Sequence, residues 1–341
     1  MKKEFLLLLI SVSLCLFALE VFARLYYFTP LALLPWYGES IGFLKRSGLI
    51  RSSDDCEIVY ELEPDLDAYF SLAKLRTNSQ GLRDREYSIR KPDNAYRVAV
   101  LGDSITMAFG VDIEDAYHSV LEEAYNAESD HEKYEFINFG VGGYSLVQYL
   151  ATLKRKSLAY DPDHILVGLC MENDVPVTKF SYRYCDYVPK LRKSNPYFEW
   201  WFLRLLQDRL GGRKHRLINP KERETKRVFD LVRLDSVVAE FKYISERRKI
   251  GLTFVALRWA SDHNQEDFQA FQRVFFKYKI PLIDTAPAFH EVNREGYSFR
   301  ESGSKYAVNR ADGHPNAEGH RLFAEAIERS LRLQLPDPDH E

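Results

Sequence analysis

Only four cysteines and three methionines occur in 341 residues, and no two cysteines share the short spacing of a zinc or redox motif. A structural metal site is therefore not expected. Charge of one sign is also missing: 47 basic and 50 acidic residues are mixed along the chain for a formal net charge of -3. That balance gives no footprint for a nucleic acid. Internal repeats and low-complexity tracts are absent, which excludes solenoid and fibrous architectures. Of the cysteines, Cys15 lies in an apolar run, leaving Cys56, Cys170 and Cys185. Free, buried thiols are the simpler expectation for these three, with a Cys56 to Cys185 disulfide as the alternative if that part of the chain is exported.

Long hydrophobic runs are likewise scarce, with one exception at the N-terminus. Lys2 and Lys3 precede an apolar stretch from Phe5 to Leu19 broken only by Ser11 and Ser13. A spanning helix needs about 20 apolar residues, and the run reaches that length only by including Glu20 to Ala23. Signal peptide and signal anchor both fit residues 1–28. Val21 and Ala23 satisfy a small-residue cleavage rule, whereas the bulky Leu25, Tyr26, Tyr27 and Phe28 favour an uncleaved anchor at the membrane interface. With the lysines held in the cytoplasm, the remainder is expected outside it, periplasmic or at the cell surface, or secreted if the segment is cleaved.

Residues 29–94 show scattered aromatics, prolines and charges without a sustained period. They are expected to be a linker and an irregular or β-rich lead-in, and no chemistry is assigned to them. From Tyr96 short β-branched runs alternate with helical patterns, the signature of a parallel sheet covered by helices. Expected strands are Arg97–Leu101, Glu135–Phe139, His164–Leu169, Leu252–Leu257 and Pro281–Asp284. Expected helices are Ala116–Tyr125, Leu146–Leu158, Gln265–Tyr278 and Ala317–Leu331, the last capped by Asn316. This places an α/β domain at 95–335, a three-layer αβα sandwich on a five-stranded parallel sheet, and a frayed tail at 336–341. Between the third and fourth strands run roughly 75 residues, far more than an ordinary connection. This insertion, at about 176–248, holds the aromatic helix candidate Tyr197–Leu210 and a basic stretch over Gly211–Arg227. A helix packed on the sheet with a solvated basic loop is the plain reading; a lid or a lipid-facing surface is the sharper one.

Four short blocks carry the chemistry. Val98 to Thr106 reads VAVLGDSIT, placing Asp103 and Ser104 at the carboxyl end of a parallel strand, where open α/β sheets bind ligands. A serine on a tight turn there offers a hydroxyl nucleophile and an outward backbone N–H; a helix-capping Ser-Thr pair is the ordinary alternative. The turn Asn138 to Ser145 (NFGVGGYS) lets Gly143 present an amide to an oxyanion, though such turns also serve plain strand-to-helix geometry. It has neither dinucleotide spacing nor a phosphate-loop lysine. After the third strand, Asn173 can supply a side-chain amide, or act only as a turn residue. Finally, Ala311 to Asn316 (ADGHPN) puts Asp312 beside His314 just before a helix: an imidazole base and an acid that fixes its tautomer. His320 falls inside the helical pattern and reads as a helix-surface residue. Asp262 and His263 lack a partner serine motif.

In chain order, GDSIT, NFGVGGYS, MENDV and DGHPN resemble the SGNH (GDSL-like) serine hydrolase family over about Tyr96 to Leu331. The resemblance implies a flavodoxin-like SGNH fold, with Ser104 as nucleophile and first oxyanion donor, Gly143 and Asn173 completing the oxyanion hole, and His314 as base. The run GDSITMAFGVDIEDAY looks like the membrane-anchored or exported branch with a long insertion. Two departures stand out. The family spacing is D-x-x-H, whereas only Gly313 separates Asp312 from His314, as in SGNH proteins acting on polysaccharide O-acetyl groups. Glu172 occupies a position where glycine commonly precedes the asparagine, and a carboxylate there opposes an oxyanion. The resemblance implies a cofactor-free esterase acting on an ester-bearing small molecule or acylated carbohydrate. An O-acyltransferase of a cell-surface polysaccharide, and an anchored polysaccharide-assembly or binding protein without catalysis, are the alternatives.

Overall fold

The computed structural model describes residues 2–27, 33, 49–71, 73–128, 133–170, 202, 206, 231–258, 265–292, 305–309 and 312–335. Helix α1 spans Lys2–Tyr27. Its stretch Lys3–Tyr26 is long and apolar enough to cross a membrane, with a mean hydropathy of 2.6 in its most apolar window and none of that window buried.

Of the two forms expected for the lead-in, irregular or β-rich, the structure shows the β-rich one. Strands β1 (Ile50–Ser52) and β2 (Tyr60–Leu62) pair antiparallel, as do β3 (Asp67–Phe70) and β4 (Ala73–Arg76). Ile58, Tyr60, Leu62, Phe70 and Leu75 are buried in the main core, so these strands pack onto the domain; of the stretch between α1 and Leu49 only residue 33 is described.

The central sheet follows with β5 (Ala95–Leu101), β6 (Lys133–Asn138), β7 (His164–Leu169), β8 (Gly251–Ala256) and β9 (Leu282–Asp284). All neighbours are parallel, in the order β6-β5-β7-β8-β9. Helices α2 (Tyr117–Glu128), α3 (Leu146–Arg155), α4 (Leu231–Arg248), α5 (Gln265–Lys277), α6 (Ala286–Val292) and α7 (Ala317–Leu331) complete it. Strand alternation separates two cores. Ala99, Leu101, Ile165, Val167 and Phe254 face α3, α4, α5 and the lead-in, whereas Val98, Val100, Phe136, Leu166 and Val255 face α2 and α7. The fold is the three-layer αβα sandwich of SGNH hydrolases.

All five strands lie within two residues of their expected limits, and α7 coincides with its expected span under the Asn316 cap, whose Oδ1 accepts the Gly319 N–H at 3.1 Å. Helix α4, at the end of the expected insertion, is a layer helix: it packs against α3, α5 and β8. Tyr197–Leu210 apart from 202 and 206, the basic stretch 211–227, Asp262, His263 and the tail 336–341 lie outside the described residues. The thiol expectation is corrected at one position. Cys56 is disulfide-bonded, whereas Cys15 and Cys170 are free, and Cys185 lies outside the described residues.

Candidate active site

Strand β5 delivers its chain to the carboxyl rim of the sheet and turns sharply there. A side chain at Gly102 would collide with Thr106, so only glycine lets the chain fold back this tightly. The buried Asp103 carboxylate accepts the Ile105 N–H at 3.0 Å, and the Met107 and Phe109 amides donate to the Asp103 and Ser104 carbonyls at 2.8 and 3.0 Å. These bonds hold Ser104 on a rigid loop with 6% exposure. No acceptor among the described residues takes the Ser104 N–H.

The glycine turn after β6 lies against this loop. Val141 N–H donates to the Gly102 carbonyl at 3.2 Å and Gly142 N–H to Met107 Sδ at 3.2 Å, while a Cβ on Gly140 would press on the Met107 nitrogen. Gly143 sits at φ 80, and its N–H also finds no acceptor among the described residues. Tyr60, from the lead-in, fixes the turn through its hydroxyl, which donates to the Gly142 carbonyl at 2.8 Å. Asn173 and Glu172 lie outside the described residues.

The fourth block completes the cluster. Val308 N–H donates to the His314 carbonyl at 2.8 Å, and Asn316 N–H to the Tyr306 carbonyl at 2.8 Å, which sets the loop against its own approach strand. His314 Nε2 lies 2.8 Å from Ser104 Oγ, across 210 positions of sequence. On the other side of the ring, Nδ1 makes a short contact with Asp312 Oδ1, which also accepts the His314 backbone N–H at 3.0 Å. One intervening residue is enough for Asp312 to reach the ring. Burial pushes the Asp312 carboxyl up, but the His314 ring and backbone N–H groups and the Ser71 hydroxyl outweigh it and hold its pKa at about 2.

Residues without a motif surround these three. The Phe109 ring lies 4.9 Å from the His314 ring, and Phe70 packs edge-on against Phe109 at 4.7 Å. Ser71 Oγ donates to Asp312 Oδ2 at 2.9 Å. The buried Arg83 guanidinium donates to the carbonyls of Met107, Ala108, Val111 and Lys74, joining the lead-in to the Ser104 loop. Sequence reasoning missed Phe70, Ser71 and Arg83 because the lead-in carries no periodic or motif signal, and it gave Phe109 no role although that residue lies in the run after Ser104. The reading of His320 is corrected as well: it is fully buried, stacks on Tyr117 at 6.1 Å, and its Nδ1 accepts the Tyr117 N–H at 3.2 Å. Its α7 position turns inward onto α2, which the helical pattern alone did not reveal.

No group of three or more metal-ligating side chains is found among the described residues. A shallow depression lined by Tyr96, His164, Lys249 and Gly251 lies at the amino-terminal edge of the sheet, away from this chemistry.

A parallel αβα sheet whose carboxyl rim gathers Ser104, His314 and Asp312 defines an SGNH-type ester hydrolase. Matching residues 100–322, more than half of the chain, the family model described as GDSL-like Lipase/Acylhydrolase places this protein in that family. Solved structures similar to it include an acetyl xylan esterase, AlAXEase, at 17% identity and a TM-score of 0.44, covering 69% of this chain and 99% of that one. TesA is similar at 15% identity and a TM-score of 0.43, over 70% and 99% of the two chains. A lipolytic G-D-S-L family member from Veillonella parvula is similar at 16% identity and a TM-score of 0.40, over 70% and 98%. No curated protein matches the sequence.

Proposed function

We propose that the protein is a serine esterase that works through an acyl-enzyme on Ser104. The observation that most supports this is the unbroken chain from Asp312 Oδ1 through the His314 ring to Ser104 Oγ. Asp312, ionised above about pH 2, holds the proton on Nδ1 and leaves the Nε2 lone pair facing the hydroxyl. Ser104 Oγ attacks the ester carbonyl while His314 takes its proton. The developing oxyanion is received by the N–H groups of Ser104 and Gly143, which no acceptor among the described residues claims, and the family resemblance adds the Asn173 side chain as third donor. The imidazolium returns the proton to the leaving alcohol, and a water, deprotonated by His314, then releases the acid and frees Ser104. No cofactor takes part.

The half-open setting of His314 and Asp312, with side chains 29% and 21% exposed, suits an ester presented from solvent, such as an O-acyl group on a carbohydrate. Helix α1 and the Cys56 disulfide support a chain anchored at its N-terminus with this domain in an oxidising, extracytoplasmic compartment. A fluorophosphonate probe on the detergent-solubilised full chain tests the assignment. It should label wild type and not Ser104→Ala; equal labelling of both would remove Ser104 from the chemistry.

A further inference from the structure

The β3–β4 hairpin lies outside residues 100–322 of the family match, yet it touches both halves of the catalytic cluster. Its two strands are joined in register Phe70 to Ala73, and this two-residue connection places Ser71 at φ 50, a left-handed backbone that turns its side chain toward the base loop. From there Ser71 Oγ donates to Asp312 Oδ2 at 2.9 Å, across 241 positions of sequence. The rest of the hairpin is fastened to the nucleophile side. Phe70 packs on Phe109, Lys74 N–H donates to Asp112 Oδ1 at 3.0 Å, and Arg83 Nη2 donates to the Lys74 carbonyl at 2.7 Å while its other bonds hold the carbonyls of 107, 108 and 111.

We infer that this hairpin is a brace between the nucleophile loop and the base loop, and that Ser71 is a positioning residue for the proposed reaction. The carboxylate of Asp312 divides its work. Oδ1 takes both His314 N–H groups, and Oδ2 is held by the hydroxyl. With Oδ2 tethered, the carboxyl plane cannot rotate without breaking three bonds at once, so the His314 ring stays aimed at Ser104. This compensates for a spacer of only one residue between acid and base. Ser71 touches no reacting atom: its effect runs through Asp312 and then His314, and it belongs in kcat rather than KM.

The inference rests on the esterase reading, and the test separates the two. Ser71→Gly removes the hydroxyl while tolerating the positive φ, and Ser71→Asn supplies an amide donor at a residue type that also accepts it. In the full chain in detergent, Ser71→Gly should lower kcat for a small acyl ester ~10- to 100-fold with KM within about twofold. It should also shift or broaden the downfield proton resonance of the His314 ring N–H that faces Asp312, and Ser71→Asn should recover both. A Ser71→Gly protein with unchanged kcat and an unmoved resonance, even with a lower Tm, would overturn the inference and leave the esterase untouched. Equal losses in the Gly and Asn variants would overturn it too. If wild type lacks Ser104-dependent labelling, the esterase reading fails, and the resonance still decides whether Ser71 governs the Asp312–His314 pair.

Discussion

Asp312 carries two consequences that can be measured apart. In the proposed role of the acid that orients His314, its replacement by Asn leaves the ring free to adopt the wrong tautomer, so kcat should fall on the order of 10²- to 10⁴-fold with modest change in KM. Its depressed pKa also links it to stability. A carboxyl held at about 2 against an ordinary 3.8 stabilises the folded state fully above about pH 4, and that contribution is lost as pH falls toward 2. Melting curves should therefore show wild type above Asp312→Asn at neutral pH, with the gap closing between pH 4 and 2; a gap independent of pH would contradict the assignment. Gly143 is the second test at this scale. Ala at φ 80 is strained and its Cβ would sit 3.0 Å from the Tyr60 hydroxyl, so the N–H is displaced and Gly143→Ala should reduce kcat by roughly 10²-fold. That Ser104, Asp312 and His314 would come together was legible because each sits in a compact block whose residue types suit the proposed chemistry. Ser71, Phe109 and Arg83 were not, since their roles come from contacts the chain makes only when folded.

Among the elements, the strands were readable because a parallel sheet buried on both faces demands continuous β-branched and aliphatic runs, as in His164–Leu169. The lead-in resisted reading for the opposite reason. Its strands are three or four residues long, too short to show alternation, and they owe their place to Tyr60, Phe70 and Leu75 reaching a core built by residues far along the chain. Helix α4 was submerged in an apparent insertion because its buried positions, Leu234, Val238, Phe241 and Ile244, alternate with a dense set of charges. Arg83 is where the lead-in matters most. Its guanidinium donates to four backbone carbonyls, and Arg83→Met leaves those acceptors unpaired in the interior. The variant should lose about 3 kcal/mol in chemical denaturation and bind the fluorophosphonate more slowly. A variant as stable as wild type would mean that the lead-in is not integral to the domain.

At the scale of the whole molecule, the chain joins an apolar N-terminal helix to a disulfide-bearing hydrolase domain. The free-thiol expectation failed at Cys56 because sequence spacing says nothing about which sulfurs meet in space. Reduction with dithiothreitol should lower stability by about 2–4 kcal/mol, read as a fall in Tm, while labelling of Ser104 at low temperature persists. If α1 is retained as an anchor, the protein should stay in the membrane pellet after an alkaline carbonate wash, and deletion of residues 1–28 should release it. Loss from the pellet of the intact chain would point to cleavage instead. The central claim, however, is the proposed covalent role of the Ser104 hydroxyl, which His314 meets from far along the chain. Acid quenching of the enzyme within its first turnover of an activated acetyl ester, followed by mass spectrometry of its peptides, tests it directly. One acetyl group on the peptide carrying Ser104, absent from Ser104→Ala and from His314→Ala, is the predicted result. Acetate release that continues undiminished in Ser104→Ala, or acetyl found on another residue, would contradict it.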